Sequence, residues 1–99
     1  MNIYDKKILL VDDNRELLVM TADTLRRNGY SSIVTAENVK EAVKCFEREE
    51  PEMAILDIML PDGDGFTLFR KFRETSNIPI LFLSAKDEDN DRLFGLGLG

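Results

Sequence analysis

Four short apolar runs mark the positions of β-strands along the chain. They cover residues 8–11, 32–35, 53–56 and 78–84. The first and third runs are almost continuously aliphatic, which is typical of parallel strands that are covered on both faces. The second run is more polar, and we predict that it forms an edge strand.

The segments between the first three runs have the periodicity of amphipathic helices. Residues 15–28 place apolar or small side chains on one face and end at Gly29, a residue suited to the left-handed position that ends many helices. Residues 39–49 have the same pattern, and Asn38 and Glu41 predict a capping box at their start. The sequence therefore predicts one helix after each of the first two strands.

A third helix is predicted at residues 65–74, with Asp64 as its cap. It would bury three aromatic side chains, Phe66, Phe69 and Phe72. A fourth helix is predicted to begin near Asp87 and to end in the glycine-rich segment that closes the sequence. This regular alternation of strands and helices predicts an α/β fold, in which right-handed crossovers build a parallel sheet with helices on both faces.

The composition indicates one small acidic domain without histidine. A net charge of -6 repels phosphate backbones and anionic lipids, so we expect no direct binding of nucleic acid or membrane by this segment. Cys45 has no partner for an internal disulfide, and the first apolar run is too short for a signal peptide or membrane span, so we expect a cytoplasmic location. The absence of histidine excludes Ser-His-Asp triads, and any histidine chemistry must come from a partner.

Carboxylates follow two of the predicted strands. Asp12 and Asp13 come directly after the first run, and Asp57 comes directly after the third. Because ligands of open parallel sheets bind outside the carboxyl ends of the strands, these side chains converge if the two strands are neighbours. Like charges about 4 Å apart repel by roughly 4 kcal/mol at an effective dielectric near 20, so a cation must bind there. Mg²⁺ suits a site with few protein ligands, several waters and a phosphate oxygen.

The same residues also allow a purely structural interpretation. In this alternative, Asp12 and Asp13 cap the first helix and Asp57 starts a turn before Pro61. The presence of acidic residues at the ends of two strands favours the metal site over the caps.

The loop that follows the third strand is rich in glycine. We predict that Gly63 and Gly65 supply backbone conformations that other residues resist. The segment DGDG resembles the start of a calcium loop, but counting from Asp62 puts Phe66 at the fifth position and Arg73 at the twelfth. Neither side chain suits those ligand positions, so a calcium site is excluded.

Three motifs, in order, resemble those of the receiver domain of two-component response regulators. They are ILLVDDN at residues 8–14, AILDIMLPDGDG at residues 54–65 and IPILFLSAK at residues 78–86. The resemblance covers nearly the whole chain and implies one receiver domain over residues 1–99. The implied fold is the flavodoxin-like, doubly wound parallel sheet with strand order 2-1-3-4-5. The last residues resemble receivers that are followed by a winged-helix DNA-binding domain, which implies that the parent protein is a transcriptional regulator.

The resemblance also implies a role for each residue of the acidic edge. Asp57 would accept a phosphoryl group from the phosphohistidine of a sensor histidine kinase, in a reaction that needs Mg²⁺. Asp13 would bind the metal directly, Asp12 largely through water, and Met59 through its backbone carbonyl. Ser84 would donate its hydroxyl to the phosphoryl group as the sensor of phosphorylation; the alternative is that it caps the fourth helix. Such a domain is a signalling switch rather than an enzyme.

The end of the sequence departs from the family pattern. Family members continue through a fifth strand, which ends in a lysine that contacts the phosphoryl group, and a fifth helix, whereas this sequence stops at Gly99. Lys86 lacks the proline that accompanies the family lysine and is a poor substitute. We therefore expect a receiver truncated within or just after its fourth helix. The fourth strand would then be an exposed edge, with Leu81 and Leu83 uncovered on one face, and the chain would self-associate through this region.

Two other functions are compatible with the motifs. One is a receiver-shaped interaction or dimerisation module that is not phosphorylated in this form. The other is a Mg²⁺-dependent phosphohydrolase with an aspartate nucleophile, which ranks last because Met59 stands where such an enzyme needs a second aspartate. A Mg²⁺ titration distinguishes the first of these from the phosphorylated switch.

Overall fold

The computed structural model describes residues 3–83 and 93–96 of the chain. A short 3-10 helix at Ile3–Asp5 precedes the first strand. The elements that follow, in chain order, are β1 (Lys7–Val11), α1 (Arg15–Arg27), β2 (Ser32–Ala36), α2 (Val39–Glu49), β3 (Met53–Asp57), β4 (Met59–Leu60), β5 (Gly63–Asp64), α3 (Gly65–Arg73), β6 (Ile80–Leu83) and β7 (Leu93–Leu96). The four strands and first three helices that the sequence predicts are therefore all present, with boundaries shifted by only a few residues.

The main sheet has the strand order β2-β1-β3-β6-β7. The first four of these strands are parallel, so the predicted α/β fold and the strand order are confirmed. The more polar β2 lies at an edge, as predicted. Val11 of β1 is opposite Leu56 of β3, and Asp57 at the end of β3 is opposite Leu83 of β6, so three strands end at nearly the same level.

The core has two halves because successive residues of a strand point to opposite faces of the sheet. Leu9 and Val11 face one half, which also contains buried residues of α2 and α3. Ile8 and Leu10 face the other half, which α1 covers. These four side chains are at most 2% exposed, which explains why β1 reads as a continuous apolar run. In the described part of the chain, no helix combines the length and the apolar character that crossing a membrane requires.

The helix ends follow local signals in the sequence. Gly29 has a φ of 104°, and its amide and that of Tyr30 donate to the carbonyls of Arg26 and Leu25, which closes α1 as the glycine predicts. At the start of α2, the Asn38 side chain accepts from the Glu41 amide at 2.8 Å. The returning Glu41 carboxylate accepts from the Glu37 amide, one residue before the cap, so the predicted capping box is present only in a shifted form.

The buried face of α3 differs from the prediction. Leu68 and Phe72 are fully buried, but Phe66 is 43% exposed and Phe69 is only partly buried. Three aromatic residues spaced three apart drift by about 60° at each step around a helix of 3.6 residues per turn, so they do not share one face. Phe66 and Phe69 instead contact the ring of Phe82 on β6, with ring centroids 5.0 and 5.8 Å apart.

The last described segment also differs from the prediction. Residues 93–96, which we expected to continue a fourth helix, form β7, and this strand pairs antiparallel with β6. The glycine-rich sequence disfavours a helix, whereas the β6 edge offers unpaired backbone groups. The expectation that β6 is an open edge is therefore wrong. Leu81 and Leu83 of β6 are nevertheless only partly buried. Self-association through this region stays a prediction. Residues 84–92 lie outside the described residues.

Candidate metal centre

The ends of β1 and β3 bring Asp12 and Asp57 together. These strands are neighbours, and Val11 and Leu56, the residues before the two aspartates, are register partners. The Asp12 amide donates to the Ala36 carbonyl of β2 at 3.1 Å, so the ladder of hydrogen bonds continues one residue beyond β1. The backbone of the acidic edge is therefore held by the sheet itself.

Asp12, Asp13 and Asp57 form one cluster. Each offers a carboxylate oxygen, and these oxygens all lie within 4.8 Å of one another. Asp12 and Asp57 are 8% and 6% exposed, whereas Asp13 is exposed to solvent. The structure thus brings together the three carboxylates that were predicted to converge, with two of them largely removed from water.

The geometry contradicts the interpretation of these residues as helix caps. Asn14 caps α1, because its side-chain oxygen accepts from the Leu17 amide at 3.1 Å. The Asp12 carboxylate accepts from the Asn14 amide at 2.9 Å, which orients Asp12 without making it the cap. Asp57 is the last residue of β3 and does not start a turn before Pro61. The helix-cap interpretation therefore does not explain why these three carboxylates cluster.

The electrostatics of the cluster favour a bound cation. Burial, and next the charge of Asp12, raise the pKa of Asp57 to about 6, against the opposing effect of the Met59 and Ile58 amides. Burial also raises the pKa of Asp12, against the hydrogen bond from the Asn14 amide. Two charges 4.8 Å apart repel by about 3 kcal/mol at an effective dielectric near 20. A cation among these oxygens would remove this cost.

An open cleft of about 410 Å³ lies above the carboxylates. It is lined by Asp12, Asp13, Asn14, Leu17, Asp57, Met59, Leu60 and Pro61. Among the described residues, its charged groups are only carboxylates, which are hard oxygen ligands of the kind that Mg²⁺ binds. The donor set therefore fits Mg²⁺, and the volume leaves room for water and a phosphoryl group. Ser84 and Lys86, which also belong to the predicted edge, lie outside the described residues.

Gly65 is required here for space rather than for an unusual backbone conformation. A Cβ at this position would collide with the Asp57 carbonyl oxygen and lie 3.3 Å from the Ile58 Cα. Among the described glycines only Gly29 has a positive φ, so the prediction that other residues resist this backbone geometry holds for Gly65 through the close approach of the Asp57 backbone and not through an unusual φ. The Gly65 amide donates to the Ile58 carbonyl at 2.8 Å, which keeps the start of α3 tightly against the end of β3.

We expect Gly65→Ala to lower the free energy of unfolding by about 1–3 kcal/mol, because the obstacle is rigid backbone. Gly63→Ala is the matched control. Its Cβ would lie 3.0 Å from a Val39 methyl group, which is a side chain that can move, so we expect a smaller loss. Urea unfolding followed by circular dichroism measures both values. Equal losses would contradict the spatial role assigned to Gly65.

The family of the chain follows from comparison with known proteins. The family model described as the response regulator receiver domain matches residues 8–99. The chain belongs to this family. Receiver domains are signalling domains rather than enzymes, in agreement with the sequence-based expectation. The match begins at the second residue of β1, continues through β7 and includes the whole acidic cluster.

The relatives and solved structures agree with the receiver family. The chain is 42% identical over 96 residues to the alkaline phosphatase synthesis transcriptional regulatory protein PhoP of Bacillus subtilis, and 39% identical over 94 residues to the regulatory protein VanRc of Enterococcus gallinarum. These alignments cover 96% and 95% of this receiver, but 40% of each relative, so the chain spans about two fifths of their length.

Two solved structures share the receiver fold. A two-component response regulator from Clostridium difficile is 32% identical, with a TM-score of 0.77 over 86% of this chain and 69% of that chain. The BeF3-activated N-terminal receiver domain of Klebsiella pneumoniae RstA is 35% identical, with a TM-score of 0.75 over 84% of this chain and 70% of that chain.

Sequence reasoning missed the small hairpin formed by β4 and β5. Met59 pairs with Asp64, and Leu60 pairs with Gly63, so the loop after Asp57 is an ordered two-stranded unit. The strands are only two residues long, and such short strands leave no periodic pattern. The only available signal was the Pro61–Asp62 turn dipeptide between them.

Proposed function

We propose that this receiver is a phosphoacceptor switch, in which Asp57 accepts a phosphoryl group from a sensor histidine kinase in a Mg²⁺-dependent reaction. The observation that supports the proposal best is the cluster of Asp12, Asp13 and Asp57, with oxygens within 4.8 Å in an open cleft. The family supports it as well, since receivers are the phosphorylated partners in two-component signalling. The absence of histidine in the sequence agrees, because the donor histidine belongs to the kinase.

In the proposed reaction, a carboxylate oxygen of Asp57 attacks the phosphorus of the kinase's phosphohistidine. An O–P bond forms and the N–P bond breaks; the imidazole leaves with the electron pair of that bond and takes a proton from water. The attack requires an ionised carboxylate. With its pKa raised to about 6, Asp57 is mostly ionised at neutral pH and is more basic than an ordinary aspartate. It is therefore both available and nucleophilic.

Asp12, Asp13 and the backbone carbonyl of Met59 are the groups proposed to hold Mg²⁺ beside Asp57. Mg²⁺, when bound, offsets the negative charge of the carboxylates and of the phosphoryl oxygens. Asp13 suits direct binding because it is exposed at the cleft, whereas the buried Asp12 is already oriented by the Asn14 amide. Ser84 is proposed to donate to the attached phosphoryl group. It directly follows Leu83, the register partner of Asp57.

We further propose that the parent protein regulates transcription in the cytoplasm. The named relatives are transcriptional and other regulatory proteins that are longer than this chain, which supports an output region outside the aligned segment. The unpaired Cys45 suits a reducing compartment. The alternative is a receiver-shaped interaction module that is not phosphorylated. The intact acidic cluster supports the phosphorylated switch over this alternative.

Incubation with a small acyl-phosphate donor tests the proposed function. With Mg²⁺ we expect intact-mass spectrometry to show the addition of one phosphoryl group, and with a chelator we expect none. The charge repulsion within the cluster is the reason, because no cation is then available to offset it. A protein that never gains this mass in the presence of Mg²⁺ would favour the interaction module.

A further inference from the structure

Asp62 connects the β4–β5 hairpin to a distant helix. One oxygen of its carboxylate accepts from the Val39 amide at 2.7 Å, and the other accepts from the Lys40 amide at 3.2 Å. Val39 and Lys40 are the first two residues of α2, 23 and 22 positions earlier in the sequence. The contact is therefore tertiary, unlike the local caps that Asn14 and Asp64 provide for α1 and α3.

The contact is favourable for two physical reasons. The first amides of a helix have no partners within the helix, and a negative charge near them is stabilised by the helix dipole. Asn38 accepts from the Glu41 amide, and Asp62 accepts from the two amides between them, so these three amides all have protein partners only when the hairpin is in place. The same hydrogen bonds lower the pKa of Asp62, the Val39 amide most strongly, so the carboxylate stays charged at neutral pH.

The hairpin has one anchor at each end. At its base, the Gly65 amide donates to the Ile58 carbonyl at 2.8 Å. At its tip, Asp62 binds the start of α2. Met59 lies between these anchors with 56% of its surface exposed, so side-chain packing does little to hold it. The Met59 amide also donates to the Asp57 carboxylate, and the neighbouring Leu60 is buried in the core. The two anchors add to these contacts in placing the Met59 backbone.

We infer that Asp62 is a positioning residue: by binding the first two amides of α2 it fixes the hairpin, and with it the Met59 carbonyl, beside Asp57. This inference rests on the proposed function, in which that carbonyl is a ligand of Mg²⁺. Asp62 itself is outside the group of residues that line the cleft, so it acts through Met59 and not by contact with the metal.

The test compares Asp62→Ala with Asn38→Ala in the full chain. Both substitutions remove hydrogen bonds from the first turn of α2, but only Asp62→Ala releases the tip of the hairpin from that helix. We expect the Kd for Mg²⁺, measured by isothermal titration calorimetry, to rise about tenfold for Asp62→Ala, because the Met59 carbonyl is then held less firmly beside Asp57; loss of a group that orients a metal ligand typically costs at least this much. For Asn38→Ala we expect a change of less than about twofold, since no group near the metal is linked to that cap.

A second pair of variants removes the same contact from the other side. Val39→Pro deletes the amide that Asp62 binds most closely, and proline is tolerated at the first position of a helix. Asn38 is extended, with φ of -159° and ψ of 174°, and so avoids the helical region that a following proline disfavours. Val39→Ala keeps the amide and controls for the lost side chain. We expect Val39→Pro, but not Val39→Ala, to weaken Mg²⁺ binding by several-fold.

The outcomes separate this inference from the proposed function. If the unsubstituted protein does not bind Mg²⁺, the proposed function fails, and the inference fails with it. If it binds Mg²⁺ and Asp62→Ala matches Asn38→Ala, the contact is only a helix cap and the positioning role is overturned. If Asp62→Ala does not fold, the Val39 pair decides: equal Kd values for Val39→Pro and Val39→Ala would overturn the inference.

Discussion

We expect Asp57→Asn to abolish the addition of a phosphoryl group to the protein from an acyl-phosphate donor and Mg²⁺. The amide is nearly the same size as the carboxylate, but it is a far weaker nucleophile and carries no charge for a cation to bind. Asp12 and Asp13 remain in this variant, but the proposed acceptor is Asp57, the last residue of β3. Intact-mass spectrometry over time measures the effect, and we expect no phosphorylated species at any time.

Asp23→Asn is the matched control for this experiment. Asp23 lies on α1 and pairs with Arg27 at 2.9 Å on the exposed face of the helix, away from the cleft. This variant loses the same charge without touching the acidic cluster, so we expect phosphorylation at the rate of the unsubstituted protein. Phosphorylation of Asp57→Asn at a comparable rate would show that the acceptor is another residue.

The second large effect is a pH-dependent cost of the acidic cluster in metal-free protein. The pKa of Asp57 is raised from 3.8 to about 6 in the folded state, mainly by burial. Between these two values the folded protein binds more protons at this residue than the unfolded chain does, so stability falls as the pH rises. A difference of about two pKa units corresponds to about 2–3 kcal/mol, lost between about pH 4 and pH 7. The raised pKa of Asp12 acts in the same direction.

Other carboxylates titrate over the same pH range, so the pH dependence of one protein does not report on Asp57 alone. The difference in the free energy of unfolding between the unsubstituted protein and Asp57→Asn isolates the contribution of Asp57. Asp62 and Asp64 have lowered pKa values, due mainly to hydrogen bonds from the Val39 and Thr67 amides, and oppose the trend in both proteins. With a chelator present, urea unfolding should show that Asp57→Asn gains about 2–3 kcal/mol relative to the unsubstituted protein between pH 4 and pH 7. At pH 7, Mg²⁺ should raise the free energy of unfolding of the unsubstituted protein strongly and that of Asp57→Asn only weakly. Parallel pH profiles for the two proteins would contradict the raised pKa of Asp57.

The features that the sequence predicts correctly depend on local patterns. Continuous apolar runs followed by aspartates identify β1 and β3, and the rule that ligands gather at the carboxyl ends of parallel strands brings Asp12, Asp13 and Asp57 together. Gly29 likewise predicts the end of α1, because a positive φ is a local requirement of the chain. For these features, neighbouring residues contain the necessary information.

The features that the sequence does not predict depend on contacts between distant segments. The cap that Asp62 provides for α2 joins residues more than twenty positions apart, and no repeating pattern in the sequence predicts it. The role of Gly65 comes from a collision with the Asp57 carbonyl, which only the folded backbone reveals. The antiparallel pairing of Leu93–Leu96 with β6 was missed because the helical pattern was weak and the strand edge that competes with it lies elsewhere in the fold.

The most direct test of the proposed switch is to locate the phosphoryl group. Borohydride reduces an aspartyl phosphate to homoserine, a stable product that tandem mass spectrometry assigns to one position in the sequence. After treatment with an acyl-phosphate donor and Mg²⁺, we predict reduction at Asp57 and at no other carboxylate. Reduction at Asp12 or Asp13 instead, or no reduction in a protein that binds Mg²⁺, would contradict the assignment of Asp57 as the phosphoacceptor.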